Sequence, residues 1–256
     1  MNLGALLKGK TVFITGASSG IGAHLARVSA ESGANVVVAA RRLDELRAME
    51  DDLRVRGAAD VLSLRLDVAD EASVKAAIAT ARAKFRTLDV VVNNAGVAGG
   101  SMALDMDMAE FDRIVAVNLR GAFMVANEAG RAWRAEKRDG AVINIASVLG
   151  FRQAGGVSAY AMSKAGVVQM TKTLALEWAR HGIRVNAIAP GYFDTAMNEG
   201  FFDTDAGKTM IKRIPMRRIG DMRDLDGPFL LLATEASAFM TGAVIPVDGG
   251  HLVNSL

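Results

Sequence analysis

The run Thr11-Val-Phe-Ile-Thr-Gly-Ala-Ser-Ser-Gly-Ile-Gly22 decides how the rest of the chain is read. Thr11–Ile14 is a short β-rich segment. It enters a turn carrying Gly16, Gly20 and Gly22, with Ser18, Ser19 and Ile21 between them, and Ala23–Ser32 then reads as a helix. Strand, glycine-rich turn and helix, in that order, form the setting of a nucleotide-binding loop. Gly16 permits the tight turn, Gly20 lets backbone approach a pyrophosphate, and Gly22 allows close helix–strand packing. The first N–H groups of the helix, with its dipole, add donors aimed at an anion. Taken alone, the same residues also fit an ordinary βα turn that happens to hold several glycines.

The next elements extend the alternation. Asn35–Ala40 is a second apolar strand. In a dinucleotide-binding fold its C-terminal end meets the adenosine ribose, where a carboxylate accepts hydrogen bonds from the 2′-hydroxyl. Here the position is Ala40, followed by Arg41 and Arg42. A guanidinium grips a 2′-phosphate bidentately and a carboxylate repels it, so these residues favour NADP(H) over NAD(H). The plainer alternative is that both arginines open a solvated helix over Arg42–Arg56. Val61–Leu66 is a third strand, ending in Asp67-Val68, and Glu71–Phe85 an amphipathic helix. Leu88–Val92 is a fourth strand, running into Asn93-Asn-Ala-Gly96, whose small residues let backbone lie against a flat ring. Asp107–Arg138 reads as one long helical stretch containing Asn118. Strand Ala141–Ala146, helix Ser158–His181, strand Arg184–Ala189, helix Asp224–Thr234 and strand Ala243–Val247 complete the series. Continuous apolar strands alternating with helices predict an α/β fold with a parallel sheet covered on both faces. Pro228 is expected to delay or bend its helix. Pro190–Arg223 lacks clean periodicity and reads as an irregular lid over about residues 191–223.

Composition narrows the function. The chain has 256 residues, 51% hydrophobic and 23% charged, which suits one domain, 1–256, with a sizeable core. The net charge is only +2, and no basic stripe with interleaved aromatics accompanies it, so no nucleic-acid partner is expected. Cysteine is absent, which excludes disulfides and thiolate metal sites, and no metal is expected. No apolar run approaches a membrane span, and the first residues do not resemble a signal peptide; the expected setting is cytoplasmic.

The chemistry centres on Ser147 and on Tyr160-Ala-Met-Ser-Lys164. The i, i+4 spacing puts Tyr160 and Lys164 on one helix face, one turn apart. A tyrosine is a poor acid or base at neutral pH, and an ammonium one turn away is expected to pull its pKa down. Ser147 would lie at the C-terminal end of a buried strand, where open α/β sheets place their ligands. By itself a Tyr-x-x-x-Lys pair is more commonly a solvated helix face. Asn118 taken alone is more commonly a satisfied structural amide.

Together these pieces resemble the classical short-chain dehydrogenase/reductases, over essentially the whole chain. The resemblance rests on Thr15–Gly22, Asn93–Gly96, Asn118, Ser147, Tyr160 with Lys164, Pro190-Gly191 with Thr195, and Val247–Gly250, all in order. It implies a single Rossmann-type domain with a seven-stranded parallel sheet in the order 3-2-1-4-5-6-7 and helices on both faces. It implies that Tyr160 exchanges a proton with a carbonyl oxygen, that Ser147 bonds that oxygen, and that Lys164 lowers the tyrosine pKa and holds the nicotinamide ribose. It implies that Asn118 supports a water-linked proton path. Cofactor contacts are implied for Asp67 and Val68, for Asn94, Ala95 and Gly96, and for Pro190, Gly191, Phe193 and Thr195. A homotetramer is implied, with the Asp107–Arg138 and Ser158–His181 helices at one interface. Ala17, Ser18 and Ser19 stand where some NADP-preferring relatives carry a basic residue, so the cofactor reading rests on Ala40, Arg41 and Arg42. His24 and His181 have no place in the pattern and read as surface or packing residues.

The expected activity is an NADPH-dependent carbonyl reductase, reversible with the alcohol. Leu149, Gln153, Tyr192, Met197, Phe201 and Phe202 are expected to line the substrate space. The Met- and Phe-rich lid suggests a bulky apolar ketone; equally, those residues pack the lid onto the body. A 3-oxoacyl thioester reductase is the second reading, and a catalytically silent dinucleotide-binding scaffold the reading of another class.

Overall fold

The computed structural model describes residues 6–195, 198 and 200–253. Strands β1 (Thr11–Thr15), β2 (Asn35–Ala40), β3 (Asp60–Arg65), β4 (Val90–Asn93), β5 (Gly140–Ile145), β6 (Ile183–Pro190) and β7 (Val244–Val247) form one seven-stranded sheet. Its order is β3-β2-β1-β4-β5-β6-β7 and every pairing is parallel. The α-helices are α1 (Gly20–Glu31), α2 (Leu43–Ala48), α3 (Glu50–Arg56), α4 (Glu71–Phe85), α5 (Met108–Val115), α6 (Ala122–Glu136), α7 (Ser158–Trp178), α8 (Asp205–Arg213) and α9 (Asp226–Ala233). No helix among the described residues is long and apolar enough to cross a membrane.

Alternate strand residues feed two separate cores. Val12 and Ile14 of β1 join Leu25, Leu53 and Phe229 beneath α1, α3 and α9. Phe13 between them joins Val74, Ile78, Trp133 and Leu174 beneath α4, α6 and α7. Both faces of each central strand are therefore dry, which is why these strands read as unbroken apolar runs.

Several elements differ from the sequence reading. The Arg42–Arg56 helix breaks at Met49 into α2 and α3. The Asp107–Arg138 helix is interrupted by a π-helical turn, Ala116–Gly121. Pro228 lies in the first turn of α9, where a backbone N–H has no intrahelical partner, and a 3₁₀ turn over Met222–Leu225 precedes it. The segment after β6 is not wholly irregular: it contains α8, whose cap Thr204 accepts from Gly207 N at 3.1 Å.

The sheet order creates the site. The chain winds from β1 outward to β3, then crosses to the other side of β1 to lay down β4. At that switch point the loops after β1 and β4 part and leave a crevice. Thr15 and Asn94 fasten its floor. Thr15 Oγ1 accepts from Asn94 N and Ala95 N, both at 3.0 Å, and Asn94 Nδ2 donates to Thr15 O at 2.9 Å and Gly16 O at 3.1 Å. Gly22 is required by this fastening, since a Cβ there would lie 2.4 Å from Asn94 Nδ2 and 2.5 Å from Gly16 O.

Candidate active site

A cleft of about 410 Å³ runs along the C-terminal edge of the sheet. At one end it is lined by Gly16, Ser18, Ser19, Gly20 and Ile21, with Ala40, Arg41 and Arg42 beside them. Gly16 (φ +65°) and Gly20 (φ +55°) both take the left-handed conformation. The space above Gly20 is open, its nearest neighbour being the Thr195 methyl at 3.6 Å. Ser19 caps α1 without a side-chain bond, and no acidic residue lies in the first turn, so the first amides of α1 keep their demand for an anion. Arg42 Nη2 donates to Ser18 Oγ at 3.0 Å and Ser19 Oγ at 3.2 Å, and Nη1 pairs with Glu45 at 2.8 Å. Asp67 and Val68 line the cleft, and Asp67 Oδ1 accepts from Ala69 N at 3.0 Å. Asn94, Ala95 and Gly96 form its floor, and Pro190, Gly191, Phe193 and Thr195 one wall. These features suit an extended molecule carrying a pyrophosphate and flat rings, as a nicotinamide dinucleotide is.

The inner end holds Ser147, Tyr160 and Lys164. Ser147 leaves β5 and caps a 3₁₀ turn, its Oγ accepting from Leu149 N at 3.1 Å. Tyr160 lies in the first turn of α7, half-buried in the cleft wall. Lys164, one turn on, is buried, and its Nζ donates to Ile145 O at 2.7 Å and stands 5.7 Å from the Tyr160 ring centroid. The expected electrostatics are reversed here. Burial raises the Tyr160 pKa above its ordinary value; the Ser147 hydroxyl, hydrogen-bonded to the phenol, works against this, while Tyr192 adds to it. Lys164 brings no resolved lowering of the tyrosine. It is itself desolvated, which pushes its pKa down to about 8.

Asn118 does not line the cleft but stands behind it, in the π-helical turn. Its Oδ1 accepts from Val97 N at 2.8 Å, and its Nδ2 donates to Val97 O at 2.9 Å and Ser163 Oγ at 3.0 Å. It thereby ties the loop that follows Gly96 to α7. The added residue of a π turn is what brings a buried amide into this reach.

Leu149 and Tyr192 line the cleft, and both extend into an adjoining chamber that Gln153 also lines. Phe201 and Phe202 line neither; they meet edge-on at 5.6 Å, and Phe202 meets the Tyr192 ring edge-on at 6.3 Å. Both contacts lie within the segment after β6. Met197 lies outside the described residues. Phe193 is buried, pressed so closely on Gly220 that a Cβ there would lie 2.4 Å from its ring. His24 bridges α1 to α9 through Asp226 at 2.6 Å, a packing role, and His181 is half-buried at the end of the turn after α7. Sequence reading missed Asn198, whose Oδ1 accepts from Thr195 N at 2.9 Å and whose Nδ2 donates to Phe193 O at 2.8 Å. A short polar amide three residues past Thr195 is the local signal that could have found it.

Comparisons with known proteins agree with this geometry. Residues 16–251 match a family described as Enoyl-(Acyl carrier protein) reductase. The chain is 40% identical to oxidoreductase UcpA of Salmonella typhimurium over 252 residues, covering 95% of each. It is 38% identical to a cis-4-hydroxycyclohexanecarboxylate dehydrogenase of Sinomonas cyclohexanicum, covering 97% of this chain and 99% of that one. Its structure resembles that of a gluconate 5-dehydrogenase from Burkholderia cenocepacia J2315 in complex with NADP and tartrate, with a TM-score of 0.93, 34% identity and 99% of each chain covered. Sheet order, cleft and whole-length similarity lead to one conclusion: the chain belongs to the short-chain dehydrogenase/reductase family.

Proposed function

We propose that the protein is an NADP(H)-dependent reductase of a ketone, reversible with the secondary alcohol, acting through Tyr160. The family is one of oxidoreductases that act on alcohol and ketone groups. The finer reading is carried by one observation: Ser147, Tyr160 and Lys164 meet at the inner end of a cleft whose outer end is walled by Arg41 and Arg42 with no carboxylate at position 40.

Once bound, the nicotinamide dinucleotide supplies the hydride in reduction and accepts it in oxidation. The protein supplies position and the proton. Tyr160 Oη gives its proton to the carbonyl oxygen, and Ser147 Oγ hydrogen-bonds that oxygen. Burial of the phenol keeps it protonated at neutral pH, which suits the acid role of the reductive direction. Lys164 is held between Ile145 O and Tyr160, placed to take the ribose hydroxyls and to restore the tyrosine proton. Asn118 holds Val97 and Ser163, and so keeps the cleft floor in register with α7. The α1 amides take the pyrophosphate, Asp67 the adenine, and Arg41 with Arg42 the 2′-phosphate. The cofactor preference gains support from the relative that holds NADP.

Tyr160→Phe should lower kcat by at least about a hundredfold, the usual worth of a general acid, while NADPH still binds by fluorescence titration. Retention of full turnover would overturn the mechanism. Ala40→Asp with Arg41→Leu should lower the NADPH to NADH ratio of kcat/KM by at least about tenfold, as loss of a charge-assisted bond requires. An unchanged ratio would show that the 2′-phosphate lies elsewhere. Reduction of 3-oxoacyl thioesters, the activity that names several relatives 34–36% identical to this chain, is the second reading, and the same assay with thioesters decides it. NADPH binding without turnover of any carbonyl would point to a scaffold.

A further inference from the structure

Beside the catalytic cleft lies a second chamber, of about 370 Å³, that shares Val148, Leu149 and Tyr192 with it. Besides Tyr192, three separated segments build it. Arg152 and Gln153 follow the turn after Ser147, Met210 and Arg213 come from α8, and His251 comes from the turn after β7. Two arginines and a histidine line it, and none of its described lining residues is a carboxylate. A bulky apolar ketone has no use for Arg152 in such a lining, since desolvating its guanidinium against an apolar group is unfavourable.

We infer that this chamber is the subsite for a carboxylate on the substrate, with Arg152 as its anchoring cation. The substrate class is then a keto acid, or the hydroxy acid in reverse, whose carbonyl lies at Ser147 and Tyr160. This inference rests on the oxidoreductase reading above. Three observations carry it.

First, Arg152 is fixed. It is half-buried, its Nη1 donates to the backbone carbonyl of His251, and the residue lines the chamber. A planar fork is suited to the two oxygens of a carboxylate. Second, the neighbouring acid is occupied. Asp248 accepts from Gly250 N at 2.9 Å and from Leu252 N at 2.7 Å, so its oxygens serve the turn that carries His251. Third, a polar atom of the chamber's lining has no partner among the described residues. Nδ1 of His251 is buried without a hydrogen-bond partner, in a ring 5.4 Å from that of Tyr192. The charge of Arg152 is felt at both rings: burial and Arg152 lower the His251 pKa against the pull of Asp248, and Arg152 partly offsets the upward effect of burial on Tyr192.

The chamber's place fits a small acid. Ser147 and Arg152 are five residues apart on one loop, and Tyr192 walls both spaces. One compact molecule can therefore present its carbonyl to the first and its carboxylate to the second.

The test uses the wild-type enzyme with NADPH and a set of cyclic and straight-chain keto acids, each paired with its methyl ester. The acid should exceed its ester in kcat/KM by at least about tenfold for the best pair, the worth of one bond to a charged group. Arg152→Met should cut that acid-to-ester ratio by at least about tenfold, and Arg152→Lys should restore part of it. A structural role alone would lower both members of a pair together and leave the ratio unmoved. A second measurement needs no turnover: cyclohexanecarboxylate should raise the melting temperature of the NADPH complex where cyclohexanecarboxamide does not. Ketones and esters reduced as well as the acids, with no carboxylate-dependent melting shift, would overturn the subsite and leave the oxidoreductase reading standing. A carboxylate shift abolished by Arg152→Met, with no carbonyl of any kind reduced, would keep the subsite and overturn the reading beneath it.

Discussion

Lys164 shows how far the site departs from what stability alone would select. Its ammonium is buried, with the Ile145 carbonyl its hydrogen-bonded partner among the described residues, and burial holds its pKa at about 8 against a usual 10.5. Because the folded pKa lies below the unfolded one, folding disfavours the charged form. Below about pH 8 the folded chain carries the whole penalty, roughly 3 kcal/mol at 1.36 kcal/mol per pKa unit. Between pH 8 and 10.5 the unfolded state binds more protons than the folded one, so stability rises with pH. Lys164→Met removes the penalty but leaves the Ile145 carbonyl unpaired, which costs about 1–3 kcal/mol, so the two effects nearly offset at neutral pH. The distinguishing quantity is the pH dependence. Urea unfolding at pH 7 and pH 10 should show wild type gaining on Lys164→Met by about 2–3 kcal/mol as the lysine deprotonates. A constant gap would mean that the ammonium is not desolvated in the folded chain. The sequence conveyed the pairing of Tyr160 with Lys164 but not this sign. Spacing places two groups on one helix face, whereas their pKa values depend on what the tertiary structure packs around them.

At the scale of elements, legibility follows the source of each element's stability. Val36–Val38 and Val90–Val92 were readable as strands because both their faces are buried by helices, which leaves a plain apolar run. The π-helical turn was not readable, because nothing local produces it. It accompanies tertiary contacts, Asn118 with Val97 and Ser163, and Gly121 seated where a Cβ would lie 2.9 Å from Val68. The nine-residue α8 was hidden for another reason: of its residues only Gly207 is buried, so it contributes little to the core, and its apolar positions are few between charged ones. That glycine is also its point of attachment. A Cβ at position 207 would lie 2.1 Å from Phe201 O and 2.7 Å from Phe202 Cα. Gly207→Ala should therefore lift α8 off the turn before it, at about 1–3 kcal/mol, or about 2–4 °C of melting temperature per kcal/mol. Because α8 carries Met210 and Arg213 onto the chamber, the KM of the carbonyl substrate should rise while that of NADPH stays put. Gly227→Ala is the control, in open space within α9, and should be neutral or stabilising by up to about 1 kcal/mol. Equal effects from the two substitutions would remove α8 from the substrate's surroundings.

For the whole molecule, the sheet order followed from the alternation of strands and helices together with the resemblance, and the switch point between β1 and β4 then fixed where the cleft must lie. What one chain's pattern cannot display is which outer surfaces are covered, because a helix face packed against a second copy reads like a helix face packed on its own core. Among the described residues, large apolar side chains stand exposed on two sets of elements, besides single ones elsewhere. One gathers Met108 of α5, Phe123 of α6, and Met162 and Leu176 of α7, with Leu176 83% exposed. The other lies near β7, where Phe239 is fully exposed and Val253 nearly so. A single self-complementary face generates a dimer, whereas two independent ones generate a closed tetramer of dihedral symmetry. We propose that the protein is a homotetramer in which the α5, α6 and α7 helices form one interface and the residues after α9 the other. Multi-angle light scattering at micromolar concentration should return the mass of four chains. Leu176→Glu with Phe123→Asp should reduce it to that of two, and Phe239→Asp should do so through the other face. A charge placed at the centre of an interface of about 800 Å² per partner has no compensating partner and opposes its burial. A monomeric wild type would overturn both interfaces, and a tetramer that survives Leu176→Glu with Phe123→Asp would move the first of them off α6 and α7.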